Sequence, residues 1–359
     1  MSLPPIYFYL PEDDRPSYLP DHPDDKYERF GTGGVNAWVL QTYLRLRAIN
    51  FPCELVSEFP EAGIVLAYYG SFLKRSSAWK PFHPYFENLI KPGSKVLLIN
   101  LKADGRRYPY AQFHIVQNPV ESRLYKNSYF IPHWSQPGLI PRCSGHGDRF
   151  ENIGYLGHIS NLASELRDPA WEKQLAKLGL RWCNLATDNN WTESHPLHRQ
   201  WNDYSDMDAI VAIRSFGELK TDFPYRNKPA TKLYNAWLAG IPAVLGIESA
   251  YRAEGHPNVD YLEVNSIADL ITMIERLKTK VTFRHDLVKR GNQQAQLIKP
   301  EQTAKRWVTF LTDVAVPVFY RWCDQSRWLK NFYGGRNHLG FKTELLLSKY
   351  LSSHKIEHR

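Results

Sequence analysis

The chain has 359 residues, 43% hydrophobic and 23% charged, with a formal net charge of +8. That balance excludes a disordered chain and leaves room for two domains, each with its own core. The excess of positive charge suggests a polyanionic partner such as a nucleotide, a nucleic acid or a membrane surface. No RNP sequence or zinc-finger spacing is present, so nucleic acid is not expected. No apolar run reaches the roughly 18 residues that a membrane-spanning helix needs. MSLPPIYFYLPEDD turns acidic after a few apolar residues and has no basic leader, so a cytoplasmic location is expected rather than secretion. The four cysteines, Cys53, Cys143, Cys183 and Cys323, form no CxxC pair and are expected as reduced, structural thiols.

IYFYL is a short strand, followed by the polar, proline-rich loop PEDDRPSYLPDHPDDKYERF. GTGG then opens the apolar helix VNAWVLQTYLRLRAI. CELVSEF, GIVLAYY, KVLLINL, FHIVQN and SYFIPH predict further strands, separated by polar or helical stretches. After PGLIPRCSGHGDRFEN, a linker around residues 138–150, the pattern restarts with NIGYLG, a helix through WEKQLAKLG, LRWCNLA and DAIVAIR. A second α/β unit is completed by YLEVN and by SIADLITMIERLK, in which Ile267, Leu270, Ile271, Ile274 and Leu277 share a helical face. PEQTAKRWVTFLTDVAV is a helix with Ala304, Trp307, Val308, Leu311 and Val314 at helical spacing, and Pro317 is expected to break or kink it. Strands alternating with helices predict parallel sheets covered on both faces. The expected fold is α/β with two Rossmann-like, doubly wound domains facing a cleft. The expected divisions are 1–140, 141–316 and a helical tail, 317–359.

The chemistry concentrates in RNKPATKLYNAWLAGIPAVLGIESAY, residues 226–251. Lys228 and Lys232 stand one helical turn apart, before a compact apolar helix, a Gly240 stop and a core strand. The start of a helix is where phosphates bind, so the two lysines aim positive charge at an anion site. Arg214 leaves the end of a buried strand, where ligands of open α/β sheets gather. Together these cations would neutralise a diphosphate, the leaving group on which negative charge builds during sugar transfer. Gly33 and Gly34, in GTGGVNAW, would let backbone approach a phosphate closely, although the turn is not a GxGxxG fingerprint.

TKLYNAWLAGIPAVLGIESAY resembles the donor-binding segment of GT-B glycosyltransferases, and in part the donor site of fucosyltransferases. The specific part of the likeness covers residues 208–265. It implies a nucleotide-sugar donor, UDP- or GDP-linked, bound as substrate, with no cofactor and no metal. It places Lys232 on the diphosphate and Glu248, Ser249 and Tyr251 near the sugar or ribose, with Thr231 and Asn235 on the same donor helix. Retaining members often carry two glutamates eight residues apart where this chain has Asn227 and Asn235, and fucosyltransferases favour Glu where Thr231 stands. Inverting and retaining chemistry both stay open.

An inverting transferase needs a base near the acceptor hydroxyl, usually from the first domain. Asp104, in LKADGRRYPYA, and His133, in IPHWSQP, are the candidates, each with a plain structural role as the alternative. The acidic loop from Glu12 to Glu28 has no D-x-D after a strand, so no metal site is assigned. The expected activity is transfer of a sugar from a nucleotide sugar to a hydroxyl of a glycan or lipid-linked acceptor. An epimerase of the same architecture and a non-catalytic glycan-binding protein are the alternatives. In the tail, Trp322, Trp328, Phe332 and Tyr333 alternate with Arg321, Arg327, Lys330 and Arg336. That mixture suits an anionic membrane surface or, equally, packing back on the first domain.

Overall fold

The computed structural model describes residues 3–16, 19–24, 34–72, 92–187, 201–217 and 223–353. Gly33 lies outside them. The first sheet contains β1 (Ile6–Tyr9), β2 (Glu54–Val56), β3 (Ala62–Tyr68), β4 (Lys95–Leu101), β5 (Phe113–Val116) and β6 (Ser128–Phe130), in the order β2-β1-β3-β4-β5-β6. Every pairing within it is parallel. Ile64 sits opposite Leu97 and Leu66 opposite Ile99, all fully buried. Runs of Val, Ile and Leu form such central strands because both faces are covered and neither needs polar residues.

The second sheet contains β7 (Asn152–His158), β8 (Arg181–Thr187), β9 (Ala209–Ala212), β10 (Ala243–Leu245) and β11 (Leu262–Glu263), in the order β11-β10-β9-β7-β8, again all parallel. Before β10, the Thr231–Ala239 helix stops at Gly240, whose φ of 70° lies in the left-handed region that glycine adopts at little cost. The Ile267–Thr279 helix is capped by Ser266, whose hydroxyl accepts from Asp269 N at 3.0 Å. Its Leu270, Ile274 and Leu277 are buried in the second core, with Ile267 and Ile271 packed beside them. Within the linker, Arg142 donates to Asp208 Oδ1 through Nε (3.0 Å) and Nη2 (2.8 Å), which ties that segment to the second domain.

The chain then returns to the first domain. Ala304, Trp307, Phe310, Leu311 and Ala315 share a core cluster with Phe8, Trp38 and Ile99, so the return begins upstream of residue 317. Pro317 does not stop the helix. Helical residues Pro300–Thr309 lead through a π-helical turn, Phe310–Ala315, into Val316–Asp324. The wider turn comes just before the proline, where its missing N–H and its ring would otherwise disturb an α-helical ladder. A last helix, Arg327–Ser353, divides the tail aromatics. Trp322 is buried and packs edge-on against Tyr333, whereas Trp328 and Phe332 stack on one another with 69% and 58% of their surface exposed. Among the described residues no helix is long and apolar enough to cross a membrane.

Candidate functional site

Both sheets present their C-terminal strand ends to one cavity of about 480 Å³. Such ends are where open α/β sheets bind ligands, because the helices that follow point their N-termini there. The first domain contributes Gly34, Trp38, Tyr68, Asp104, Gln117 and His133 to the wall. From the second come Tyr155, Gly157, Arg214, Lys228, Lys232 and Glu248, with Tyr251 beside them.

On the second wall, Arg214 donates through Nε to Glu248 Oε1 at 2.9 Å, through Nη1 to Asn161 Oδ1, and lies over the Tyr225 ring. Burial works against the Arg214 charge, but Glu248 beside it, with the Tyr251 and Tyr155 hydroxyls, leaves its pKa above the ordinary value. Burial also raises the Glu248 carboxyl above the usual carboxylate range, against the pull of Arg214. Lys232 donates to the Leu156 carbonyl and sits near the Tyr155 and Trp201 rings. Burial, followed by repulsion from Arg214, brings the Lys232 amine down to about 7. An anion entering the cavity would offset both effects. Lys228, at the cleft lip, is ion-paired with Asp104 across the domain boundary. Between the two lysines the Thr231–Ala239 helix begins with no side chain capping it, so its first N–H groups, which have no intrahelical acceptor, are not met by a capping side chain.

On the first wall, His133 packs edge-on against Trp38, and its Nδ1 lies 2.6 Å from the Trp134 carbonyl. A carbonyl only accepts, so Nδ1 carries the proton and Nε2 is left as the basic nitrogen. Burial holds the His133 pKa below its ordinary value, outweighing the Trp134 carbonyl and the Asp104 charge, so the ring is neutral at pH 7. Asp104 accepts from Gln117 as well as from Lys228.

The site residues expected from sequence separate into two groups. Asp104, His133, Gly34, Arg214, Lys228, Lys232, Glu248 and Tyr251 line the cavity; Thr231, Asn235 and Ser249 do not. Asn235 accepts from Gln136 N at 3.0 Å and donates to Tyr204 at 3.1 Å, while Ser249 accepts from Asn118 at 2.9 Å. Both bind the two domains together instead of facing a ligand. Asn235 does so as an amide, with a donor and an acceptor at once, which an ionised glutamate lacks. At Gly34 a Cβ would meet the Tyr68 ring at 2.9 Å, so glycine there permits a close approach of backbone to Tyr68.

Sequence reasoning missed Tyr155, Gly157, Asn161 and Trp201 on the second wall and Trp38, Tyr68 and Gln117 on the first. Gly157 leaves room for the lysine, since a Cβ there would come within 2.9 Å of Lys232 Nζ. GYLGHISN was legible as a strand followed by a polar loop, and the strand-end rule would have placed that loop at the site.

No family model matches the sequence and no curated protein matches it. Among solved structures, sucrose-phosphate synthase from Thermosynechococcus elongatus superposes with a TM-score of 0.52 at 14% identity, over 87% of this chain and 99% of that one. The fold is GT-B. Looser likenesses are found to TarM (TM-score 0.48, 10% identity, 76% of this chain) and to Anabaena HepE crystallised with UDP (0.45, 10% identity, 86% of this chain and 100% of that one). The chain spans 58% of the length of TarM. In this GT-B fold the cavity is the interdomain cleft, and the chain's return packs on the first-domain core.

Proposed function

We propose that the protein is a metal-independent glycosyltransferase of hexosyl type, moving a sugar from a UDP- or GDP-linked donor to a hydroxyl of a glycan or lipid-linked acceptor in polysaccharide biosynthesis. One observation carries this reading: Arg214, Lys228 and Lys232 converge on a single cavity whose opposite wall holds the neutral His133. The volume lies within the range of small-molecule sites. Fixed cations on the second wall would stabilise the departing diphosphate, the charge that grows most in the transition state. His133 Nε2 would take the proton of the acceptor hydroxyl. Asp104 is held by Lys228 and Gln117, so its part is to position the cleft lip and add negative charge near His133.

Peripheral attachment to the cytoplasmic face of an anionic membrane is favoured by the exposed Trp328–Phe332 stack on the last helix, since aromatic rings settle at the headgroup level. Thermal shift with UDP, GDP and CMP, followed by turnover of the stabilising nucleotide's sugars with and without acceptor, tests the function. UDP or GDP should stabilise the protein, and turnover should require acceptor. Stabilisation by none of the three would overturn the reading, and turnover of donor alone would replace transfer with epimerisation.

A further inference from the structure

A second cavity, of about 230 Å³, lies between the edge of the first sheet and the last helix. Its wall carries Arg107, Lys126 and Arg336, together with His114, Asn127 and Tyr333, and among the described residues it includes no acid. Tyr333 fixes the helix over the sheet: its hydroxyl donates to the Ala111 carbonyl at 3.3 Å and accepts from Asn127 at 3.1 Å. Arg107 lies over one ring, Tyr125, that Arg226 of the second domain also faces, at 4.4 and 5.8 Å. Basic side chains therefore run from Lys228, paired with Asp104 at the cleft lip, through Arg226 and Arg107 to Arg336 on the helix.

His114 adds a donor and not a charge. The Arg106 carbonyl accepts from Asn100 Nδ2 at 3.0 Å, which fixes the amide, and the same nitrogen lies 3.2 Å from His114 Nδ1. Nδ1 must then accept, and the ring proton sits on Nε2. Burial, reinforced by Arg107 and Lys102, brings His114 down to about 3, so it is neutral. Glu121, a buried carboxylate whose charge reaches Arg107, is ion-paired with Lys102 at 2.7 Å. Three cations and a neutral N–H donor around one small space, with no described acid on its wall, is the composition of an oxyanion site.

We propose that this cavity is a second anion site, holding a phosphodiester group while the reacting end of the same molecule occupies the cleft. The phosphodiester belongs either to a phosphate-bearing acceptor chain or to the headgroup of an anionic lipid. That the group is part of the acceptor rests on the transferase reading; the anion site itself does not. The test uses the full-length protein and two probes: short labelled polyphosphate in solution, and phosphatidylglycerol vesicles. Both titrations are repeated in Lys232→Ala, where the cleft has lost its central cation. The double variant Lys126→Glu/Arg336→Glu, on exposed side chains, should weaken binding of one probe roughly a hundredfold, about tenfold for each lost cation, and leave UDP affinity unchanged. Loss in solution assigns the site to a soluble chain, and loss confined to vesicles assigns it to a lipid headgroup. Wild-type affinity of the double variant for both probes overturns the site, as does polyphosphate binding that disappears only in Lys232→Ala. Failure of UDP to bind the wild type would remove the transferase reading and leave the anion result standing.

Discussion

The two walls of the cleft are built from opposite materials. The second domain offers cations held in place by fixed partners, Arg214 by Glu248 and Asn161, Lys232 by the Leu156 carbonyl. Aromatic rings line both walls, but the first offers an amide and a neutral imidazole, with Asp104 as its acid. One wall is suited to hold a charge that is already present, and the other to receive a proton during the reaction. The difference implies that damage to the first wall should appear in turnover and damage to the second in nucleotide binding.

The sharpest test of that division is His133→Gln. It keeps a donor for the Trp134 carbonyl and removes the base, so kcat should fall by roughly 10²–10⁴-fold with little change in donor KM. Steady-state kinetics check it, and an unchanged kcat with a raised KM would make the first wall a binding surface. Arg214→Ala comes next. It strands the buried Glu248 carboxylate, so stability should drop by about 3–5 kcal/mol in urea unfolding, together with loss of nucleotide binding. Adding Glu248→Gln should restore much of the stability and none of the binding. Recovery of both would mean that Arg214 serves only the fold.

Lys232→Ala should weaken UDP or GDP by about 1.5–3 kcal/mol, as a lost charged hydrogen bond does, while folding barely changes. Its titration gives an independent check. Lys232 is depressed to about 7 in the free cleft, and a bound diphosphate favours the charged amine. Binding therefore takes up a proton above that pH. Affinity should be level below pH 7 and fall by up to about tenfold per unit above it, until the amine's pKa in the complex is passed. Lys232→Arg should bind without that slope, as isothermal titration across the range would show. The smallest effect is expected for Asp104→Asn, which removes a half-exposed pair with Lys228. Stability should change by no more than about 1 kcal/mol.

Much of the fold was legible because burial writes itself into composition. KVLLINL and DAIVAIR are apolar runs too short for helices and too continuous for a half-exposed strand, and they became β4 and β9. Arg214 and the lysines were legible because strand ends and helix starts have a fixed place in such sheets. What the spacing did not carry was direction across the cleft. Asn235 and Ser249 share a segment with Lys232 and Glu248, yet they turn toward Gln136 and Asn118, 99 and 131 residues away in sequence. The path through Pro317 was also out of reach, since a π-helical turn depends on how the next residues pack.

The return of residues 304–322 to the first core also fixes an order of assembly during synthesis. The first domain cannot bury Trp38 and Ile99 fully until Trp307 and Phe310 exist, long after its own strands have left the ribosome. At roughly 5–20 residues per second, the gap between β6 and Ala304 corresponds to about 10–35 s of translation. The later domain in the sequence should therefore complete its core first. A released fragment ending at residue 300 should show protease protection in the second domain and little in the first; the reverse pattern would refute that order. For those seconds one face of the earlier sheet is only partly covered, and a nascent chain in that state is a natural client for a chaperone.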